Sequence, residues 1–280
     1  DCIVGNQDVI VGGKTGQELS STQVFRKNNG TEPGTLDPHR AEGVPASNVL
    51  RDLFEGLVME DPSGRYIPGA AESWTLAEDA KTYVFTMREN GKWSNGDDVT
   101  ADDFVYGLRR SVDPSTLSNY SSMLYPIKNA RDIVLGIKDP ETLGVRSEGP
   151  KTLIIELDEP TPYFLSLLTH STTYAAHRPT VEEFGAQFTR PGNLVGNGAF
   201  RLQEWRVQSH IKLVRNTEYW DNKNTTLEEV YYYPLDDTNS AFKRYRAQEL
   251  DFTETVLAEQ LPWIRQCLPS DLKTSPYFGS

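Results

Sequence analysis

The chain is poor in the residues that most enzymes use for covalent or metal chemistry: its 280 residues hold two cysteines and four histidines. Cys2 and Cys267 stand near opposite ends, so neither a metal-ligand spacing nor a redox pair can be read from them. A disulfide between them is left open. His39, His170, His177 and His210 fall in loops or at strand edges without an HExxH or CxxC companion, and read as surface or structural histidines. No GxSxG elbow, Walker loop or GxGxxG fingerprint occurs. Gly12, Gly13, Lys14 and Thr15 echo the end of a phosphate loop, but the first glycine is missing and no buried strand precedes them. The expectation is no catalytic residue, no metal and no cofactor.

Long apolar runs are also lacking, since no stretch approaches the roughly 18 residues that a membrane-spanning helix needs. Basic charge is scarce. The 28 Lys and Arg stand against 40 Asp and Glu, a formal net charge of −12, which repels polyphosphate backbones and argues against a nucleic-acid partner. Arg109 with Arg110, and Lys243, Arg244 and Arg246 on an expected helix, read as solvated faces. Residues 1–17 show neither the charged start nor the apolar core of an intact signal peptide. No internal repeat or low-complexity linker appears, so two lobes would be joined by crossing strands and not by a tether. Hydrophobic residues at 37% and charged residues at 24% are ordinary for a soluble globular protein, and the length suits about two compact units.

What is present begins with the segment from Asn28 to Val44, NNGTEPGTLDPHRAEGV. Gly30, Pro33, Gly34 and Pro38 forbid a helix through it, and Val24, Phe25 and Arg26 read as the strand that it leaves. Val49, Leu50, Leu53, Phe54 and Leu57 then recur at helical spacing, which predicts a helix over Asn48–Gly56 stopped by Gly56. Tyr66 to Glu89 is strand-like, with Tyr83, Phe85 and Met87 alternating against polar neighbours. Asn95 and Gly96 form a tight turn after Trp93. Thr100 and Asp103 make a capping box, so a helix starts at Ala101. Beyond it come a strand over Thr152–Leu157, a helix opened by Thr161 and Pro162 through Leu168, a hairpin whose turn holds Gln208 and Ser209, a strand over Val230–Tyr233, a helix over Asp236–Gln248 and a short strand over Leu250–Thr253. Strands and helices interleave throughout, which is a mixed α/β pattern.

Three long runs then carry a resemblance: NNGTEPGTLDPHRAEGVPASNVLRDLFEGL, PGAAESWTLAEDAKTYVFTMRENGKWSNGDDVTADDFVYGLRR and NGAFRLQEWRVQSHIKLVRNTEYWD. Together they resemble the oligopeptide-binding branch of the family 5 extracellular solute-binding proteins, over about residues 20–280. The resemblance implies an α/β, periplasmic-binding-protein-like fold (type II, cluster C-like), in which one lobe carries an inserted small α/β domain and the second lobe is missing from this chain. Implied boundaries are an N-terminal extension at 1–19, lobe I at 20–54 plus 179–280, and an inserted domain at 55–178, with lobe III absent. The Gly56 stop and the loop around Pro179 suit those limits.

The implied activity is non-enzymatic. An oligopeptide would be held through main-chain hydrogen bonds in an interlobe cleft and delivered to a membrane ABC permease, with a companion chain supplying the missing lobe. The implied location is the periplasm. A lipid anchor at the cell surface through Cys2 is the alternative, against which stands Asp1, where processing demands a small residue. Carried over by position, Glu42 and Val44 line the peptide site, Tyr120 comes from the inserted domain, and Tyr277, Phe278, Gly279 and Ser280 offer main-chain partners. Glu254 and Thr255 fall at pocket positions that are commonly tyrosine and asparagine in close relatives, which leaves side-chain preference open. Beside these, Glu42 also reads as a cap for the following turn, Tyr120 as a surface aromatic and Tyr277 as strand packing, while Trp74, Trp93, Trp205 and Trp220 read as core or inter-strand packing. Competing functions are a binding protein for a non-peptide solute (an opine, murein peptide or sugar derivative), a peptidase, and a fragment without ligand. The resemblance predicts weak or undetectable peptide affinity for this half in isolation, and a sub-micromolar dissociation constant on the 280-residue chain would contradict it.

Overall fold

The computed structural model describes residues 20–273. In chain order the regular elements are strand β1 (Val24–Asn28), helix α1 (Gly43–Leu53), strands β2 (Val58–Glu60), β3 (Tyr66–Pro68), β4 (Ala71–Leu76) and β5 (Thr82–Met87), helices α2 (Ala101–Val112) and α3 (Ala130–Val134), strands β6 (Val145–Ser147) and β7 (Thr152–Glu156), helices α4 (Phe164–Leu167) and α5 (Arg178–Phe184), strands β8 (Phe200–Arg206), β9 (His210–Arg215) and β10 (Glu229–Tyr233), and helices α6 (Thr238–Arg246) and α7 (Leu261–Cys267). The mixed α/β pattern is the one expected. Contacts divide the chain into a larger unit, Pro33–Trp205 with Leu213–Thr226, and a smaller one built from residues up to Glu32, Arg206–Lys212 and residues from Leu227.

The larger unit is organised by an antiparallel sheet in the order β4-β5-β7-β6. Successive strand residues point to opposite faces, so the alternation in β5 buries Tyr83, Phe85 and Met87 on one side. Leu153 and Ile155 of β7 join them in the core. Helix α2 packs on β6 and β7, with Phe104, Leu108 and Val112 recurring at helical spacing on its buried face. Burial of each such side chain contributes about 1.5–3 kcal/mol. The start of α2 follows from chemistry in its first turn: the Asp103 carboxylate accepts from the Thr100 backbone N–H at 2.8 Å and from its hydroxyl at 2.9 Å, and it also accepts from the Trp93 indole at 3.2 Å. The Asn95-Gly96 turn forms as expected, with Gly96 at φ +94° and its N–H bonded to Trp93 O at 2.9 Å.

Helix α1 differs from its expected span. It begins at Gly43, ends at Leu53, and Phe54 closes it. Gly56 has a different task, because a Cβ there would lie 2.8 Å from Leu168 O and 2.9 Å from the Tyr174 ring. The boundaries expected after residue 54 and near 179 both fall inside the larger unit. The reason is a backbone-to-backbone approach. Gly196 and Gly198 pass so close to the end of α1 that a Cβ would lie 2.1 Å from Leu53 O and 2.5 Å from Asp52 O respectively. Asn197 between them exchanges two hydrogen bonds with the backbone of Glu55, at 3.0 and 2.9 Å. The turn after β5 joins in, as Ser94 N–H donates to Gly196 O at 2.8 Å.

In the smaller unit β1 pairs in parallel with β10, Val24 opposite Glu229 through Asn28 opposite Tyr233. Gln208 at φ +59° makes the expected turn between β8 and β9. On the other side of β1 the expected strand over Leu250–Thr253 is reduced to one parallel bridge between Lys27 and Phe252, held by Asn28 N–H to Phe252 O at 3.0 Å. Asp237 caps α6 by accepting from Ser240 N–H at 2.8 Å, and Phe242 of α6 packs with Ile264 and Leu268. Cys267 packs beside that cluster and is disulfide-bonded; Cys2 lies outside the described residues, as do Gly12 to Thr15.

Replacing Gly198 by alanine is expected to lower stability by about 2 kcal/mol in denaturant unfolding, since backbone cannot yield as a side-chain end can. Gly34→Ala, where a Cβ would meet nothing within 4 Å, is the matched control and should change stability by no more than about 0.5 kcal/mol.

Candidate functional site

The segment from Pro33 to Glu42 contains no regular element, so its backbone polar groups need other partners. Asp37 supplies several. Its carbonyl accepts from the N–H groups of Arg40 and Ala41 at 3.0 and 2.9 Å, and its carboxylate accepts from His39 N–H at 3.1 Å. That same carboxylate is gripped from α2 by Arg110, whose two terminal nitrogens reach Oδ1 at 2.8 Å and Oδ2 at 2.7 Å. Arg110 also donates to His39 Nδ1 at 2.8 Å. His39 therefore carries its proton on Nε2, which donates to Tyr174 O at 2.9 Å.

These groups are withdrawn from water: His39 is 1% exposed and Asp37 5%. Burial pushes the His39 imidazole down, the Arg110 charge adds to it, and the result is about 4. Burial works to raise the Asp37 carboxyl, but the hydrogen bonds and charge of Arg110 outweigh it and hold it below the usual carboxylate range. The expectation that Arg109 and Arg110 form a solvated face is thus corrected. Adjacent helical residues point in directions about 100° apart, so one of the two turns inward; Arg109 pairs with the exposed Glu141 and Arg110 with buried Asp37.

The expected ligand-lining residues distribute as follows. Glu42 sits at the N-cap of α1 without a side-chain capping bond, so it does not act as the cap that its position allows. Val44 in the first turn is 44% exposed. Tyr120 is half-buried with its ring edge-on to His170, centroids 5.1 Å apart, and is not a bare surface aromatic. His170 accepts on Nδ1 from Thr172 N–H at 3.2 Å, and burial pushes its imidazole down. All of these belong to the larger unit, whereas the exposed Glu254 and Thr255 belong to the smaller. Tyr277, Phe278, Gly279 and Ser280 lie outside the described residues.

Sequence reasoning passed over a second buried acid. Glu55 is 3% exposed, and its carboxylate accepts from the Tyr219 hydroxyl at 2.5 Å and the Trp220 indole at 2.8 Å. Arg88 lies over the Trp220 ring at 3.4 Å and donates to Gly69 O at 2.6 Å. Trp220 is thus held from two sides, and Trp93 is fully buried, in keeping with packing roles. Burial pushes Glu55 up to about 7, while the two donors and the Arg88 charge pull part of the way back. The only advance signal was position, an acid between Phe54 and Gly56 where the apolar run of α1 continues. An open cavity of about 440 Å³ on the same unit is lined by Arg88, Asn90, Trp220, Asp221, Lys223 and Asn224, and shares no residue with the expected ligand-lining set. Among the described residues no group of three or more His, Cys, Asp or Glu is placed to hold a metal ion.

Comparison with known proteins adds to this geometry. The model of the bacterial extracellular solute-binding proteins, family 5 Middle, matches residues 65–271. The periplasmic oligopeptide-binding protein OppA of Salmonella typhimurium is 42% identical over 265 residues, which cover 94% of this chain and 49% of that protein. The solved Escherichia coli murein tripeptide binding protein MppA superposes with a TM-score of 0.87 at 40% identity, covering 90% of this chain and 49% of that one. Haemophilus influenzae OppA in complex with RPPGFSPFR gives 0.86 at 40% identity, covering 89% and 49%. The chain spans about half the length of the relatives it matches.

Glu55 makes stability fall with rising pH. Its folded value is raised, so between its ordinary 4.5 and about 7 the unfolded chain releases the proton while the folded one keeps it, and above about 7 the loss is complete. That gap corresponds to roughly 3 kcal/mol. Glu55→Gln is expected to flatten the wild-type decline between pH 4.5 and 7 in thermal unfolding; an equal slope in both proteins would contradict the assignment.

Proposed function

Because the chain belongs to the bacterial extracellular solute-binding proteins of family 5, we propose that it is part of the substrate-binding component of an ABC importer, one that binds oligopeptides in the periplasm without chemically altering them and delivers them to a membrane permease. The periplasmic-binding-protein-like fold expected from the resemblance is the observed one. The observation that carries the ligand class is identity above 40% to an oligopeptide-binding protein across nearly the whole chain. A murein peptide is the second reading, favoured by the equal structural likeness to MppA.

A protein that accepts many peptide sequences must read what they share. Every peptide offers the same backbone donors and acceptors, so main-chain pairing supplies affinity without regard to sequence. Side chains then enter hydrated pockets in which bridging waters adapt, at an entropic cost of up to about 2 kcal/mol each. Glu42, Val44 and Tyr120 remain proposed ligand-lining residues of the larger unit, and Glu254 and Thr255 are proposed separately for the smaller. Val44 and Glu42 suit the role because the fold leaves them exposed at the start of a helix and makes no side-chain capping bond with Glu42. Glu254, exposed and acidic, would favour basic peptide side chains.

Calorimetric titration of the whole protein tests both levels. Tripeptides differing in side chain should bind within about tenfold of one another, while an ester replacing one central amide should weaken binding by roughly three- to tenfold, the worth of one hydrogen bond. Affinity insensitive to the ester would remove the main-chain reading, and a marked preference for a murein tripeptide would favour the second. Lysine-containing tripeptides should bind more tightly than aspartate-containing ones, and Glu254→Gln should narrow the difference; equal affinities in the wild type would dismiss the role of Glu254.

A further inference from the structure

We propose that Asp37, His39 and Arg110 are positioning residues for the peptide site, fixing the backbone that presents Glu42 and Val44 relative to the segment that braces Tyr120. The inference rests on the peptide-binding reading above. Glu42 and Val44 follow Asp37 by five and seven residues, on chain that has no strand or helix of its own until α1 begins. Gly43 at φ +78° turns the backbone between them. Their placement is therefore inherited from whatever anchors the turn at Asp37 to Ala41.

Two anchors reach that turn. One is the double hydrogen bond of Arg110 to the Asp37 carboxylate, 2.8 and 2.7 Å, which ties the turn to α2. The other is His39, which accepts from Arg110 on Nδ1 at 2.8 Å and donates from Nε2 to Tyr174 O at 2.9 Å. The segment it grasps is itself locked to α2: Ser111 Oγ donates to Thr172 O at 2.6 Å, and Gly107 leaves room for Tyr174 O, which a Cβ would approach to 2.5 Å. His170, at the start of this segment, packs edge-on to Tyr120. Helix α2 is thus the common frame, and the His39 side chain joins the turn before Glu42 to the segment behind Tyr120. A neutral imidazole suits this, because it can accept on one nitrogen and donate from the other at once, and burial keeps it neutral at ordinary pH.

The test compares tripeptide affinity with stability in the whole protein, using trialanine and trilysine as probes. His39→Leu removes both hydrogen bonds and is expected to weaken binding by about tenfold or more. His39→Gln keeps one acceptor and one donor and should recover most of that loss. Leu153→Ala, a core truncation in β7, serves as a control with comparable loss of stability and should leave affinity within about twofold. Should His39→Leu fail to fold, Arg110→Gln takes its place with the same expected loss. Wild-type affinity in His39→Leu or Arg110→Gln, or a loss no greater than that of Leu153→Ala, overturns the positioning role while leaving the peptide reading intact. Absence of any peptide binding by the wild-type protein overturns both.

Discussion

A guanidinium withdrawn from water must find its counter-charge and its hydrogen-bond acceptors inside the protein, and Arg110 finds them in Asp37 and His39. That requirement binds the irregular segment after β1 to helix α2. A buried ion pair of this kind is weak evidence for net stability, because desolvation offsets the attraction, but breaking it by removing one partner is costly, on the order of 3–5 kcal/mol. Its value lies in geometry. The planar fork of Arg110 accepts one arrangement of the Asp37 carboxylate, and the third contact to His39 passes that arrangement on to Tyr174. A segment rich in proline and glycine, with little regular hydrogen bonding of its own, thereby acquires a single shape.

The same unit uses absence of side chains as deliberately as their presence. Gly56, Gly107, Gly196 and Gly198 each let one stretch of backbone pass another at a distance that any Cβ would prohibit. These close approaches bring α1, α2, the 168–176 segment and the 194–198 loop into one body, and let that loop meet the end of a helix that precedes it by well over a hundred positions. Glu55 lies at this junction. Its backbone is paired with Asn197 and its carboxylate with Tyr219 and Trp220, so one residue links the end of α1 to two later parts of the chain. Burying an acid to do so carries an electrostatic cost that appears as a raised affinity for a proton.

Much of the local structure was legible. The Thr100–Asp103 box, the Asn95-Gly96 turn, the alternation in β5, the hairpin at Gln208 and the helix that became α6 are all short-range patterns, set by residues a few positions apart. The resemblance to a family was legible too, since three long runs in order carry far more information than any single motif. Less was legible where distant residues meet. Gly56 read as a helix stop because glycine commonly is one; its real neighbours, Leu168 and Tyr174, are more than a hundred residues away. Arg110 read as solvated because its partner Asp37 lies 73 positions earlier. Glu254 and Thr255 fall in a different compact unit from Glu42, Val44 and Tyr120, a division that no run of residues announced.

By itself, then, the sequence determined the class of the fold, several caps, turns and strand alternations, and, through three long runs in order, the resemblance to a family of solute-binding proteins. The fold class and the local features follow from periodicity and capping, which act over one or two turns of chain, while the family rests on the long runs alone. Tertiary structure alone decided which charges are buried, that burial pushes the His39 and His170 imidazoles down, and which glycines are close approaches. Burial and partnership depend on where the chain returns after long excursions, and desolvation, the largest influence on Glu55 and His39, does not exist until the chain has come back to enclose them.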